Sequence, residues 1–245
     1  MTNGADPTQC GVLELEYGGE RSWMGNSHGS EFSGGIRLGI TPYLDFHWTA
    51  GDFLQIVDVD GDHRGYGDNW LGFSSRYLTQ TKNRPSLGLM YMGKLPTGDP
   101  DRGLGSGEVD HVLSFLVSKD VQRFHFDFNV SPQWTGVAHN SADRNVALSM
   151  AATVPLTKRF TFVLEPYGQT ALNPATPAFG SLMTGGSFQV NPRFYLDGGF
   201  DTGLSAGASG SRLFFGFTVA VANVYSWVRP SEAVVAKRSF EQKHR

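Results

Sequence analysis

The stretch RFHFDFNVS, residues 123–131, decides the fold class of this chain. Four apolar residues, three of them Phe, alternate there with His125, Asp127 and Asn129. Because successive side chains of an extended strand point to opposite faces, this alternation gives one apolar face and one polar face. The pattern therefore predicts a β-strand with two chemically different sides.

The same alternation recurs along the chain in about twelve segments, an even number, as bacterial single-chain barrels require. Each segment runs for roughly 8–13 residues, and a tilted strand needs about 9–11 to cross a bilayer. The segments begin near Gly11, Glu31, Tyr43, Asp68, Pro85, Glu108, Val121, Asn145, Lys158, Ser181, Pro192 and Ser211.

Long and short connections alternate between these segments. Residues 18–30, 50–67, 96–107 and 135–144 form long connections, whereas residues 41–42 and 119–120 form tight turns. Outer-membrane barrels have this layout, with long extracellular loops and short periplasmic turns. The sequence thus predicts an all-β fold, a transmembrane antiparallel up-and-down β-barrel of about twelve strands.

Composition agrees with this class. Mean hydropathy is −0.25, and no stretch approaches the roughly 18 apolar residues of a membrane-spanning helix. The net charge of −3 lacks the basic excess of a nucleic-acid binder, so we expect no nucleic-acid partner. The single cysteine excludes an internal disulfide framework.

The charged residues of the strands share the polar face. Twelve strands enclose a space too wide for side chains to fill, since about eight already reach that limit. The apolar face is therefore expected to contact lipid, and the polar face to line or plug the lumen as a network of mixed charge. The predicted lumen residues are Glu14, Glu16, Arg37, Asp45, His47, Arg76, Lys94, Asp110, His125, Asp127, Glu165, Asp197 and Arg212.

Three regions are expected along the chain. Residues 1–10 form an N-terminal periplasmic lead, residues 11–225 the outer-membrane barrel, and residues 226–245 a basic tail with a possible short helix at 231–243. The start at Met1 shows neither a basic region nor an apolar region of a signal peptide. Location in the outer membrane of a Gram-negative bacterium therefore requires a signal that was removed or lies upstream.

Other chemical motifs are weak. Asp58, Asp60 and Asp62 form a weak calcium candidate, but an EF-hand loop would need Gly where His63 stands and Glu where Asn69 stands. We expect no metal and no cofactor. A lipid hydrolase would need a nucleophile and base facing the lipid, where the positions are aliphatic or aromatic, so we expect no enzyme.

One stretch carries a family resemblance. The sequence KLPTGD at 94–99, GLGSG at 103–107 and Asp110 together resemble the hallmark of the "MetA-pathway of phenol degradation" family. The resemblance extends over about residues 11–222. The loop residues that carry it are Pro96, Thr97, Gly98, Asp99, Gly103, Gly105 and Gly107.

The resemblance implies an outer-membrane barrel with a transporter-like role and supplies no catalytic residues. We therefore predict a channel or transporter for small molecules, aromatic ones among them, with outer-membrane lipid as its surroundings. The loop at 96–107 is the candidate for folding inward or gating. Two alternatives stay open, a plugged structural or binding barrel without transport and a soluble β-barrel that binds a small ligand. Oligomeric state is left open.

Overall fold

The computed structural model describes residues 2–25, 27–58, 61–137, 141–205, 208 and 210–225, and all structural statements below concern these residues. The predicted basic tail at 226–245, with its possible helix at 231–243, lies outside them.

Fourteen β-strands and one turn of 3-10 helix account for most of the described chain. The strands are β1 (Val12–Met24), β2 (Ser27–Thr41), β3 (Leu44–Thr49), β4 (Phe53–Asp58), β5 (Gly61–Tyr66), β6 (Asn69–Leu78), β7 (Ser86–Leu95), β8 (Asp110–Val121), β9 (Phe124–Val137), β10 (Ser141–Pro155), β11 (Phe160–Gln169), β12 (Phe179–Asn191), β13 (Phe194–Gly203) and β14 (Ser211–Asn223). The 3-10 turn is Pro100–Arg102. Within the described ranges, no helix is both long and apolar enough to cross a membrane.

Twelve of the strands form a closed antiparallel barrel. Neighbouring strands pair in chain order, and the ring closes because β1 pairs with both β2 and β14. Strands β4 and β5 form a hairpin that joins the sheet through β2. Residues 35–41 of β2 pair with β3, and residues 28–32 of β2 pair with β4. The predicted all-β, twelve-stranded antiparallel barrel is confirmed.

The apolar side chains face outward. On β9, Phe128 is 42% exposed, whereas its neighbours Asp127 and Asn129 are buried. On β14, Leu213 and Phe215 are likewise exposed. This arrangement is the reverse of a soluble protein, in which large apolar groups are withdrawn from water. It matches a barrel with a lipid-facing outer surface and a polar interior.

Several predicted loops are wrong. Residues 50–67 contain strands β4 and β5, and much of 18–30 and 135–144 belongs to strands that continue past the predicted ends. Backbone hydrogen bonds between antiparallel strands hold these extensions together, and they need no apolar alternation. The extensions therefore carry little of the period-two signal from which the strands were predicted.

Candidate channel lumen

A buried lysine joins two carboxylates beside the family motif. Lys94 on β7 and Asp110 on β8 are direct cross-strand partners, with Nζ 2.6 Å from a carboxylate oxygen of Asp110. The same Nζ is 3.2 Å from Asp68 and donates a hydrogen bond of 2.5 Å to the hydroxyl of Ser106. Because Lys94 and Asp68 are each only 8% exposed, solvent screens this ion pair weakly.

The motif loop at 96–107 packs onto the connection between β5 and β6. The amide of Gly98 donates to Asp68 Oδ1 at 2.8 Å, and the amide of Asn69 donates to the hydroxyl of Thr97 at 2.9 Å. Leu104 is almost fully buried in this contact. Contacts with Lys94 and Asp68 and the burial of Leu104 therefore hold the loop in place; that it folds inward or gates the barrel stays a prediction.

Glycine is required at two motif positions by close approach. A Cβ on Gly105 would stand 2.7 Å from Asp68 Oδ1, and one on Gly98 would stand 2.5 Å from the carbonyl oxygen of Leu104. Asp99 begins the 3-10 turn and accepts a hydrogen bond from the amide of Asp101 at 3.0 Å. The motif residues therefore form a compact loop that packs against Asp68.

The ionisation of Asp68, in the connection before β6, follows from these contacts. Burial disfavours its charged form, but hydrogen bonds from the amide of Gly98 and from Lys94, with the charge of Lys94, hold its pKa below the usual aspartate range. Asp68 therefore remains an anion under ordinary conditions and keeps its attraction to Lys94.

The N-terminal segment, predicted as a periplasmic lead, contacts buried side chains on the inner face of the barrel. Three of its backbone amides donate to three different strands: Thr2 to Glu165 Oε1 (2.6 Å), Ala5 to Ser118 Oγ (2.7 Å) and Thr8 to Asp45 Oδ2 (2.7 Å). These strands, β11, β8 and β3, lie in different parts of the ring. The segment therefore crosses the barrel interior.

Side-chain contacts strengthen this placement. Ala5 is 3% exposed and packs in a small apolar cluster with Met90 and Leu116. Asp6 pairs with Arg76 at 2.6 Å and accepts a hydrogen bond from the hydroxyl of Ser86 at 3.2 Å. Because Ser86 begins β7 and Arg76 lies near the end of β6, the segment occupies the half of the barrel near the short turns.

The two predicted histidines lie beside aspartates. His47 Nε2 is 2.9 Å from Asp45 Oδ1. His125 contacts Asp120 at 2.7 Å through Nδ1 and Asp127 at 3.2 Å through Nε2. These contacts hold the imidazole rings in place on the inner face.

A second ion cluster lies at the same end of the barrel as Lys94, near the connection between β13 and β14. Arg212 contacts Glu20 at 3.2 Å and Asp201 at 3.0 Å. It also donates to the hydroxyl of Tyr167 at 2.7 Å, and that hydroxyl donates to Asp201. The cluster links strands β1, β11, β13 and β14.

Two further predicted residues, Arg37 and Glu16, form an ion pair of 3.1 Å across β2 and β1. Glu14 accepts a hydrogen bond from the hydroxyl of Thr8 at 3.3 Å. Asp197 on β13 lies close to Gly216, because a Cβ built on Gly216 would be 2.7 Å from Asp197 Oδ2. The predicted lumen residues are thus distributed over several small clusters around the ring.

Sequence reasoning missed some cluster members. Glu20 has the same strand parity as Glu14 and Glu16, so the alternation of β1 contains the signal that identifies it. Asp68 lies in a connection and Asp6 in the N-terminal segment, where no alternation indicates a direction. Their roles appear only through contacts distant in sequence.

The weak calcium candidate receives no support from the described residues. Asp62 pairs with Arg64 at 2.5 Å. Residues 59–60, which include Asp60, and the side chain of Asp58 lie outside the description. Among the residues that are described, no group of three His, Cys, Asp or Glu residues is placed to hold a metal ion.

Fold and interior together define an outer-membrane type of β-barrel, closed, apolar outside and charged inside. The family model described as "Putative MetA-pathway of phenol degradation" matches residues 20–222. The chain therefore belongs to this family, and the resemblance drawn from residues 94–110 is confirmed. No curated protein sequence matches the chain.

Solved outer-membrane structures share the fold. The COG4313 outer membrane channel from Pseudomonas putida F1 superposes with a TM-score of 0.73 at 12% identity, over 88% of this chain and 97% of that one. The NanC porin gives 0.57 at 10% identity, over 84% and 98%. The translocator domain of the autotransporter NalP from Neisseria meningitidis gives 0.52 at 10% identity, over 85% and 86%.

Proposed function

We propose that this chain is an outer-membrane channel for small molecules, with aromatic molecules among its substrates. One observation carries the proposal: twelve strands form a closed ring whose exposed face is apolar and whose buried face is charged. Lipid solvates such an outer face, and the polar inner face gives water and solutes a path. Among the charged residues of that face, Arg37, Arg76, Lys94 and Asp110 are the proposed lining of the path.

The substrate class is proposed from the family together with the interior. The description of the family refers to phenol degradation. A phenol has one hydroxyl that exchanges hydrogen bonds with charged and hydroxyl side chains, and a ring small enough to pass between them. A channel needs no catalytic group, and we assign none.

The experiment uses the purified full chain refolded into lipid. In planar bilayers we expect discrete conductance steps in potassium chloride. In proteoliposomes we expect swelling in 4-hydroxybenzoate, a phenol whose anion crosses lipid slowly, and less swelling in the bulky sugar stachyose. Liposomes with heat-unfolded protein are the control. Bilayers without steps, together with liposomes that do not swell, would refute the channel.

A second candidate, a plugged barrel that binds or stabilises without transport, is favoured by the N-terminal segment. Its amides and Asp6 hold it across the interior near the short turns. The two candidates predict different conductance for the full-length chain. A channel conducts ions with residues 2–8 in place, whereas a plugged barrel conducts only after these residues are removed. A silent full-length chain beside a conducting truncated chain would support the plugged barrel.

The location follows from the same surface. We propose that the barrel lies in the bacterial outer membrane with lipid around its exposed Phe and Leu side chains. Expression behind a signal peptide should place the protein in the outer-membrane fraction as a band whose gel migration changes on heating. Recovery in the soluble fraction without detergent would instead indicate the soluble binding barrel.

A further inference from the structure

The outward side chains of β7, β8, β9 and β10 form rows across the strands, because the four strands pair in a regular register. Three successive rows are apolar or aromatic. They are Tyr91, Leu113, Pro132 and Val146; Leu89, Phe115, Val130 and Leu148; and Leu87, Val117, Phe128 and Met150. These rows give this part of the outer surface the character that hydrocarbon requires.

The next row toward the long loops is polar. It contains, in order across the strands, Gly93, His111, Trp134 and Arg144, each the cross-strand partner of the one before. Arg144 faces outward, since its neighbour Asn145 is buried on the inner face, and both His111 and Arg144 are exposed. Adjacent strands are about 4.8 Å apart, so the three polar side chains extend over roughly 10 Å.

The level of this row matches the boundary of a bilayer. Eleven residue steps separate Trp134 from Arg123 in the turn before β9, a length of about 37 Å along the strand. At a tilt of about 45° this length spans about 26 Å of membrane, close to the apolar band of about 25 Å in such barrels. The polar row and the short turns therefore lie at opposite boundaries of the hydrocarbon.

Tyr91 holds the imidazole of His111 in place. The hydroxyl of Tyr91 is 2.7 Å from His111 Nδ1, and the two rings stack with their centroids 6.0 Å apart. A hydroxyl that donates to Nδ1 leaves the proton of a neutral imidazole on Nε2, and a protonated ring also carries a proton there. In both forms Nε2 is a hydrogen-bond donor.

The other two donors of the row lack partners within the protein. Over the part of the chain that the structure describes, neither the indole N–H of Trp134 nor the guanidinium of Arg144 forms a hydrogen bond or an ion pair. Glu108 lies beside Gly136, one row nearer the loops, and forms no ion pair with Arg144. The row thus offers three donors and one fixed positive charge, a set that suits an anion with several acceptor oxygens.

Arg21 provides a contrast on the far side of the ring. It also faces outward toward the long-loop end, and its cross-strand partners are Leu213 and Ser30. Its guanidinium donates to the hydroxyl of Ser30 at 2.7 Å. An outward arginine at this end is therefore not by itself a set of open donors, and the row at His111 differs in kind.

We propose that His111, Trp134 and Arg144 bind the phosphate of a glycolipid in the outer leaflet of the membrane. This inference rests on the proposed function as an outer-membrane barrel, which places the long loops outside the cell. Phosphate supplies acceptor oxygens for all three donors, and a guanidinium binds it through two parallel N–H groups. The acyl chains of the same lipid then cover the apolar rows below.

The probe is bisphosphorylated lipid A, added to the purified full chain in detergent, and native mass spectrometry measures the fraction of chain that retains it. The native chain should retain this lipid. After enzymatic removal of its phosphates, the same lipid should bind at least about tenfold more weakly, because the charge-assisted hydrogen bonds are lost.

Two variants and a matched control locate the site. Arg144→Gln removes the fixed charge and should weaken binding at least about tenfold. His111→Phe keeps a ring against Tyr91 but removes both nitrogens, and should weaken binding severalfold. Arg21→Gln makes the same chemical change as Arg144→Gln on the far side of the ring and should bind as the native chain does. All three should keep the heat-modifiable band and the ion conductance in planar bilayers.

The outcomes separate this site from the channel. Equal retention by Arg144→Gln, His111→Phe and Arg21→Gln would refute the site, and so would native-level retention of the phosphate-free lipid. Displacement of lipid A by an equal concentration of inorganic phosphate would refute the lipid as partner. A native chain that retains lipid A without conducting ions would refute the channel and support the site, whereas recovery in the soluble fraction would refute both. If Arg144→Gln lacks the heat-modifiable band, His111→Phe decides.

Discussion

Lys94 is the residue whose removal tests the motif loop most directly. Lys94→Met keeps the length of the side chain and removes the charge that joins Asp68 and Asp110. Removing one partner of a buried ion pair costs about 3–5 kcal/mol, because the remaining charge stays buried without compensation. Here two carboxylates lose the same cation, and both side chains are largely buried.

The cost should appear as local opening of the loop at 96–107, since the twelve-stranded ladder does not depend on Lys94. A loss of about 3 kcal/mol raises the open-to-closed ratio about a hundredfold. Arg102 lies in the 3-10 turn of this loop. When opening and closing are fast relative to cleavage, the rate of trypsin cleavage after Arg102 follows the open population and should rise by the same factor.

Lys119→Met is the control. Among the described residues, Lys119 donates to backbone carbonyl oxygens in the connection between β6 and β7, those of Thr81, Lys82 and Arg84. We expect little change in cleavage after Arg102 or in channel opening from this variant. If Lys94→Met and Lys119→Met give equal cleavage rates and equal conductance records, Lys94 does not hold the loop closed.

Three other results are expected. Deleting residues 2–8 should increase single-channel conductance, because these residues cross the interior; an unchanged conductance would show that ions pass beside them. The closed loop lowers the pKa of Asp68 below its usual range. Asp68 therefore stabilises the closed loop fully at pH values above the ordinary aspartate pKa of about 3.9. This stabilisation is lost as the pH falls through the lower pKa that Asp68 has in the closed loop. Channel opening should therefore increase in acid, and Asp68→Asn should remove that part of the pH dependence. Gly105→Ala should destabilise the loop by about 1–3 kcal/mol, because its Cβ meets Asp68, as measured by cleavage after Arg102, while Gly180→Ala should leave that rate unchanged.

The sequence by itself determined the barrel and its two faces. Alternation is a local property, since the direction of each side chain follows from its position in an extended strand. Residues 123–131 therefore predicted that Phe128 lies outside and Asp127 inside, before any strand partner was known. The count of such segments gave the number of strands, and the motif at 94–110 gave the family.

Only the tertiary structure decided how the interior is occupied. Thr2 and Glu165 are 163 residues apart in the chain and share a hydrogen bond, and Lys94 meets Asp68 only because the motif loop folds back. The physical reason is common to these cases: a side chain's direction is set by its own strand, whereas its partner is set by the closure of the whole ring.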